Sequence, residues 1–432
     1  MSAENFDSFA GMETYAQTVA QELLRLGHQA SIFTPNAGTM AELTREKGIA
    51  VLGRADLPAG CDAILAQDAS TCHELAVRYP EVVRVMVAHS RDHVLQEAPQ
   101  LPEVCHGVVV LNDRVGRWMG ARAWHPPLTR LRQPITLSRY SDLKAPRPRP
   151  RRVLVSSNYV AGPRGKLIEE ACRQAGFETA WMGMTSEPSA TPERELANAD
   201  IVVGLGRCAI EGMAAGRAVY IYGVLGGGGW VTPRSYWQME ADGFAGLTDV
   251  RPTTVERMAS DLRAWRGDMG EANRDLVSAN HSARTHAVEL VELVRRLDEQ
   301  RSSAGSTAAG RATQRDRSRQ MPTAAEEIAR LLRLEWQAYM RGMRAILEAN
   351  TLRSEHEPRE ASLRDALSRV ATLDRELEGA RARIATLEEH LVQARDRMAK
   401  QDAQLRALHS TRRYRLAGVM AAPFDALRAR LR

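Results

Sequence analysis

The sequence predicts an α/β protein: two doubly wound parallel-sheet domains followed by an α-helical coiled coil. Three observations carry this expectation. Apolar strand-like runs alternate with helical segments over residues 1–140, and again from Val153 to about Leu297; such alternation builds parallel sheets covered by helices. A proline- and arginine-rich run at 144–152 separates the two sets and reads as an extended linker. Apolar residues then recur every seven positions from Leu363 to Leu405, the period of a supercoiled seam.

Within the first domain (1–143), Met12 to Leu26 has the pattern of an amphipathic helix stopped by Gly27. Gln29 to Phe33 reads as a strand, Ala37 to Lys47 as a helix, and Asp62 to Gln67, Val82 to Ala88 and Val108 to Leu111 as further strands. The second domain (153–300) opens on the strand Val153 to Ser157 and closes on helical stretches at Thr254 to Arg266 and Glu271 to Leu297.

The most informative stretch is Val202 to Tyr222. A buried run, Ile201 to Val203, ends in Gly204-Leu205-Gly206, which lets the backbone turn and approach a ligand. A short helix then carries Glu211, and Gly216 closes it before the apolar run Ala218 to Tyr222. This order sets one carboxylate near the carboxyl ends of parallel strands, where open α/β sheets hold ligands.

Bulk composition narrows the class. The 432 residues are 44% hydrophobic, enough for two or three packed domains. No apolar run reaches the roughly 18–20 residues that span a bilayer, and the start, MSAENFDSF, has no secretory leader pattern. The cysteines, Cys61, Cys72, Cys105, Cys172 and Cys208, are scattered without a CxxC pair, which fits free thiols in a reducing cytoplasm and no metal site. The net charge of +6 sits in the C-terminal third, where 26 Arg and Lys from Arg301 onward face 17 Asp and Glu. Only Lys47, Lys144, Lys166 and Lys400 are lysines, so the basic content is nearly all arginine and reflects composition bias more than phosphate binding.

Residues 301–322 are small and polar and read as a disordered linker. Residues 323–352 read as an amphipathic helix with Ile328, Leu331, Leu332, Leu334, Trp336 and Met340. In the coiled coil (360–411), Leu363, Val370, Leu377, Ile384, Leu391, Met398 and Leu405 take the first core position, and Ala366, Leu373, Ala380, Leu387, Ala394, Gln401 and Leu408 the second. The flanking pairs Arg369–Asp374, Glu376–Arg381, Arg383–Glu388 and Arg397–Asp402 are opposite in sign, and His390–Arg395 is not; a parallel homodimer through 363–408 satisfies them, and a single charged helix packed on its own chain is the alternative. The tail 412–432 interleaves Arg412, Arg413, Arg415, Arg428, Arg430 and Arg432 with Tyr414, Leu416, Val419, Met420, Phe424, Leu427 and Leu431, suited either to an anionic membrane surface or to a solvated terminus. The heptads hold no stacking aromatics, so nucleic acid is not an expected partner.

Gly11-Met-Glu-Thr-Tyr15, a helix, then Leu26-Gly-His-Gln-Ala-Ser-Ile-Phe-Thr-Pro35 resembles the opening of family-4-type glycosyltransferases, and Ala199 to Gly246 resembles their donor half. The resemblance covers roughly residues 8–298 and extends to Gly227-Gly-Gly-Trp-Val-Thr-Pro233 and Glu240-Ala-Asp-Gly-Phe-Ala-Gly246. It implies the GT-B fold of two Rossmann-like domains, an acceptor-side N-terminal one and a nucleotide-sugar-binding C-terminal one. It further implies a retaining, metal-independent transfer needing no cofactor, with the nucleotide sugar as substrate. In that family a helix-borne Glu grips the ribose, the place of Glu211. Gly204, Gly206 and Gly11 would bring backbone toward phosphate or sugar. His89, at the end of Val82 to Ala88, falls where the family has its active-site His. Arg164 and Lys166, in the expected first loop of the second domain, would meet the diphosphate.

Three positions depart from the family pattern. Val203 stands where the family carries a second, donor-sugar Glu. The expected Gly-Gly turn is Ala10-Gly11. The first, central strand of the N-terminal sheet has no obvious counterpart, so either residues 2–9 replace it imperfectly or the chain starts upstream. Together these features lead to the expectation of a cytoplasmic or membrane-peripheral hexosyl-type glycosyltransferase of surface glycan synthesis, acting on a lipid-linked or polysaccharide acceptor. The alternative is a glycosyltransferase-like scaffold without turnover that works through its coiled coil.

Overall fold

The computed structural model describes residues 1–305 except 92, 100, 123, 159, 161, 184–188, 224–225 and 250–252, then 325–342, 345, and short runs and single positions between 368 and 400. The chain divides into two compact units, Met1–Leu373 and Asp374–Arg432. Both α/β lobes lie in the first. The core positions of the heptad seam and the whole tail fall outside the described residues; the described positions between 368 and 400 are helical.

The first lobe runs β1 (Asn5–Phe6), α1 (Gly11–Arg25), β2 (Ser31–Phe33), β3 (Asn36–Ala37), α2 (Thr39–Glu46), β4 (Ala50–Leu52), β5 (Ala63–Ala66), α3 (Ala69–Arg78), β6 (Val83–Ala88), β7 (Gly107–Val110), α4 (Asp113–Gly120) and β8 (Leu128–Arg130). β5, β6, β7 and β8 pair in that order, all parallel, and β2 pairs parallel with β4. Every side chain of β6 is buried, as befits a strand covered on both faces. Asp68 and Asn112 cap α3 and α4 by accepting from the N–H groups of Thr71 and Val115.

The central position is filled by the first three residues. Ser2 bridges Phe33 on one side and Ala66 on the other. Its N–H donates to Leu65 O at 3.1 Å and its carbonyl accepts from Gln67 N at 2.8 Å, while Phe33 N reaches Met1 O at 2.8 Å. The sheet order becomes β4, β2, residues 1–3, β5, β6, β7, β8. A stretch of three residues is too short to show the alternation by which strands are recognised, yet it satisfies the inner edges of β2 and β5.

The second lobe contains β9 (Arg152–Ser156), α5 (Gly162–Ala175), β10 (Glu178–Met182), α6 (Pro192–Ala197), β11 (Ile201–Gly204), α7 (Gly206–Ala214), β12 (Ala218–Gly223), β13 (Gly226–Trp230), α8 (Tyr236–Ala241), α9 (Val255–Arg263), α10 (Met269–Asn280) and α11 (Ala283–Gly305). Its sheet order is β10-β9-β11-β12-β13, parallel except for β13. The fold class read from the sequence, two doubly wound α/β sheets, is the one observed. Differences are local. The glycine-rich run 226–230 is an antiparallel edge strand, the helical stretch from Glu271 breaks at His281-Ser282, and residues 301–305 continue α11 instead of opening a linker.

α11 leaves the second lobe and packs on the first, where Leu290, Leu293 and Leu297 share a core with Tyr15, Val83, Val85 and Val109. At its start two histidines hold the segment between the lobes. His281 Nδ1 donates to Gln133 O at 2.7 Å and His286 Nδ1 to Arg132 O at 2.9 Å. Their Nε2 atoms accept from Tyr236 at 2.9 Å and Tyr15 at 2.6 Å. Ile135 and His281–Ala283 exchange backbone bonds as well. The helix over 325–342 also packs on the first lobe through Ile328, Leu332 and Trp336, and Arg333 pairs with Glu4 and Glu74. Among the described residues no helix is long and apolar enough to cross a membrane.

Burial holds both hinge histidines neutral, each pushed down to about 4. A histidine whose folded value lies below its ordinary 6.5 contributes stability that is complete above pH 6.5 and is lost as pH falls toward 4. Protonation would place a hydrogen on the Nε2 that accepts from tyrosine. The melting temperature should therefore fall as pH drops from 6.5 to 4, and the double variant His281→Asn, His286→Asn should show a shallower fall across that window by differential scanning calorimetry.

Candidate active site

A cavity of about 430 Å³ opens between the lobes, within the range that small-molecule ligands occupy. In the first lobe its wall is the start of α1 (Ala10, Gly11, Thr14, Gln17) with Met40, Leu43 and Lys47 at α2. Thr136, Ser138 and Arg139 come from the segment between lobes. The second lobe supplies Ser156 and Asn158 after β9, Met182 and Gly183 after β10, residues 189–193, and Arg207, Cys208 and Glu211 from α7. In the second sheet β9 is flanked by β10 on one side and β11 on the other. The cavity thus lies at the carboxyl ends of these strands, at the point where the strand order reverses and α/β sheets open a crevice.

Glu211 stands one turn into α7, 6% exposed. Its Oε1 accepts from Arg207 Nε at 2.9 Å; Oε2 accepts no hydrogen bond among the described residues. The i,i+4 spacing on one helix brings the two charges together. Arg207 does more than neutralise the carboxylate. Its Nη1 donates to Pro134 O at 3.0 Å and its Nη2 to Thr18 Oγ1 at 3.2 Å, so one guanidinium ties α7 to the interlobe segment and to α1. Arg207 does not stand out in the sequence, because one more arginine carries little signal in an arginine-rich chain. Its position four residues before Glu211 is the signal that was available.

The glycines of this segment work by packing. A Cβ on Gly204 would lie 2.9 Å from Ser156 O, and Gly206 adopts φ +53°, a conformation that favours glycine. The Gly206 N–H donates to Phe244 O at 3.0 Å, so it is occupied within the fold, and neither glycine lines the cavity. Gly11 does line it, and a Cβ there would meet open space. Neither α1 nor α7 has a side-chain cap from the residue before it; apart from the occupied Gly206 N–H, both helix starts carry the partial positive charge of a helix terminus.

Val203 is fully buried, packed with Val155 and Tyr220 in an apolar core; no carboxylate takes its place there. Arg164 and Lys166 lie in the first turns of α5, not in a loop, because Pro163 fixes a helical φ at the second residue. Both are exposed and outside the cavity wall.

His89 follows β6 and does not line the cavity either. Its ring stands edge-on to Tyr15 at 4.9 Å. Gln67 Nε2 donates to Leu65 O, so Gln67 Oε1 faces His89 Nε2 at 2.9 Å and accepts its hydrogen, leaving Nδ1 as an acceptor. Burial, then the charges of Arg207 and His286, push His89 down to about 3. It is neutral and lies within the field of the Arg207 guanidinium. Glu13, also in the first turn of α1, is buried with its carboxyl pushed up to about 8 by desolvation, so at neutral pH it is mostly uncharged.

The charged cavity wall comprises Arg25, Lys47, Arg139 and Arg207 against Glu193 and Glu211. An excess of cations beside one carboxylate with an open oxygen suits a ligand that carries both phosphate and hydroxyl groups.

No protein-family model matches the chain and no curated protein matches it. Among solved structures it is similar to Alr3699/HepE of Anabaena in complex with UDP and glucose, at 12% identity over 68% of this chain and 99% of that one, with TM-score 0.46. It is similar to WaaG, a glycosyltransferase involved in lipopolysaccharide biosynthesis, at 13% identity over 68% and 98% of the chains, with TM-score 0.45. It is also similar to MurG of Acinetobacter baumannii, at 12% identity over 68% and 99%, with TM-score 0.39. These are likenesses of fold.

Proposed function

We propose that this protein is a glycosyltransferase that moves a hexose-type unit from a nucleotide sugar to a glycan or lipid-linked acceptor in surface glycan synthesis. The observation that carries the reading is Glu211. It is a buried carboxylate with one open oxygen, at the strand-order reversal of the second sheet, in a cation-rich cavity that the first lobe closes. Ribose hydroxyls donate to Glu211. The nucleotide lies along Gly183 and residues 189–193, and its phosphates face the starts of α1 and α7 and the cationic wall. As the bond from sugar to phosphate breaks, negative charge grows on the leaving diphosphate, and fixed cations and helix dipoles stabilise that change. Enclosure between the lobes holds donor and acceptor together and limits attack by water.

In the full-length protein, calorimetric titration with a panel of nucleoside diphosphates should find at least one that binds. Glu211→Ala should weaken that binding by about 10–100-fold, the worth of one or two hydrogen bonds to a charged group, with the melting profile of the free protein retained. Equal affinity in wild type and variant would contradict the assignment of Glu211. Failure of every nucleotide to bind would contradict the transferase reading.

We further propose that the chain pairs in parallel through 363–408 and that 412–432 lies on an anionic membrane surface from the cytoplasmic side. What supports this is the seven-residue apolar repeat, the opposite-charge flanking pairs and the basic amphipathic tail. Sedimentation should give a dimer for the full chain and a monomer for residues 1–352. Removal of 412–432 should reduce pelleting with anionic vesicles, and a monomeric full chain or unchanged pelleting would reject the respective element.

A further inference from the structure

Three of the four cations in the cavity wall have carboxylate partners. Arg207 pairs with Glu211, Arg139 with Glu193, and Arg25 with Glu22. Lys47 has none among the described residues: its Nζ donates to Gln17 Oε1 at 2.6 Å. That bond matters, because Gln17 is itself fixed by a bond from its Nε2 to Thr44 Oγ1 at 2.7 Å. The ammonium is therefore held at the cavity wall and does not trail into solvent.

Arg139 stands across from it. Its Nη2 donates to Glu193 Oε2 at 2.6 Å and to Ala190 O at 3.3 Å, which anchors it to the second lobe. The two cations are near enough to act on each other: partial burial and the charge of Arg139 disfavour the charged form of Lys47, and the Glu193 carboxylate favours it. Glu193 offsets the Arg139 charge within the wall, so the ammonium of Lys47 is the cation there without an ion pair among the described residues. Arg164 and Lys166, the basic pair expected from the sequence to meet phosphate, are exposed on α5 and do not line the cavity.

We propose that Lys47 and Arg139 form a phosphate subsite of the cleft, in which a phosphate group takes the ammonium of Lys47, left without an ion pair, and shares the Arg139 guanidinium with Glu193. This deepens the donor reading above and rests on it. The phosphate belongs either to the nucleotide or to a phosphorylated acceptor. In both cases the recognising chemistry is an ammonium and a guanidinium donating charge-assisted hydrogen bonds to phosphate oxygens.

The test uses the full chain and three probes: a nucleoside, the matching nucleoside diphosphate, and inorganic pyrophosphate, each titrated calorimetrically at low and high salt. Wild type should bind the diphosphate at least about 100-fold more tightly than the nucleoside, with the advantage shrinking as salt rises. Lys47→Gln and Arg139→Gln should each reduce that advantage about tenfold, while nucleoside affinity stays constant and Lys47→Arg restores most of it. Lys47 makes no ion pair among the described residues, so Lys47→Gln keeps the test valid should Arg139→Gln disturb the Glu193 contact. Pyrophosphate competing with the nucleoside diphosphate, in wild type but not in Lys47→Gln, identifies the phosphate as the nucleotide's. Pyrophosphate binding alongside it, again only with Lys47 present, identifies it as the acceptor's. If Lys47→Gln keeps the full diphosphate advantage and pyrophosphate binding, the subsite is refuted while the donor reading stands; if wild type binds neither nucleoside nor diphosphate, it is the donor reading that fails.

Discussion

The geometry of the cavity depends on how the two lobes are joined. Neither sheet alone encloses anything at its carboxyl edge. The enclosure exists because α11 crosses from the second lobe to the first and seats His281 and His286 on the carbonyls of Gln133 and Arg132. The same two rings accept from Tyr236 in one lobe and Tyr15 in the other. Each ring works only as a neutral imidazole with its hydrogen on Nδ1, and burial secures that state. Apolar packing of Leu290, Leu293 and Leu297 on the first lobe supplies the driving force. The histidine contacts, being directional, fix the angle at which the lobes meet.

Within that frame the charges are arranged with little slack. A buried ion pair is an uncertain source of stability, because desolvation offsets attraction. Arg207 and Glu211 are 11% and 8% exposed at the side chain, so their pairing is better understood as placement. The pair holds the carboxylate on the cavity wall with one oxygen open and ties α7 to both the interlobe segment and α1. Loss of Arg207 would free Glu211 and also remove a contact between lobes. His89, one layer behind, remains neutral partly because of the same guanidinium; ligand binding that moves Arg207 would be felt there.

Much of this was legible in the residues, and the limits have physical causes. Val82 to Ala88 reads as a strand buried on both faces because no polar side chain but Arg84 interrupts it, and β6 is that strand. The Gly204-Leu205-Gly206 turn and the helix carrying Glu211 stand as expected, since steric demand at two glycines and a regular apolar face are local properties. Gly226 to Trp230 was not legible as a strand: glycine has no strand preference, and pairing with β12 decides its conformation. Met1–Ala3 was opaque for lack of length. The functions of Arg207, His281 and His286 depend on partners more than a hundred residues away in Thr18, Arg132 and Gln133, which no local pattern reports. Arg164 and Lys166 read as loop residues, yet Pro163 starts α5 and places both in its first turns.

The central claim is that one nucleotide-sugar site is built jointly by α1 of the first lobe and α7 of the second. Hydrogen–deuterium exchange on the full-length protein, with and without a saturating nucleoside diphosphate that binds, tests this most directly. The account predicts slowed exchange in two separate segments at once, residues 10–18 and residues 204–212. Protection of only one of them, or of neither while the nucleotide is bound elsewhere, would contradict it.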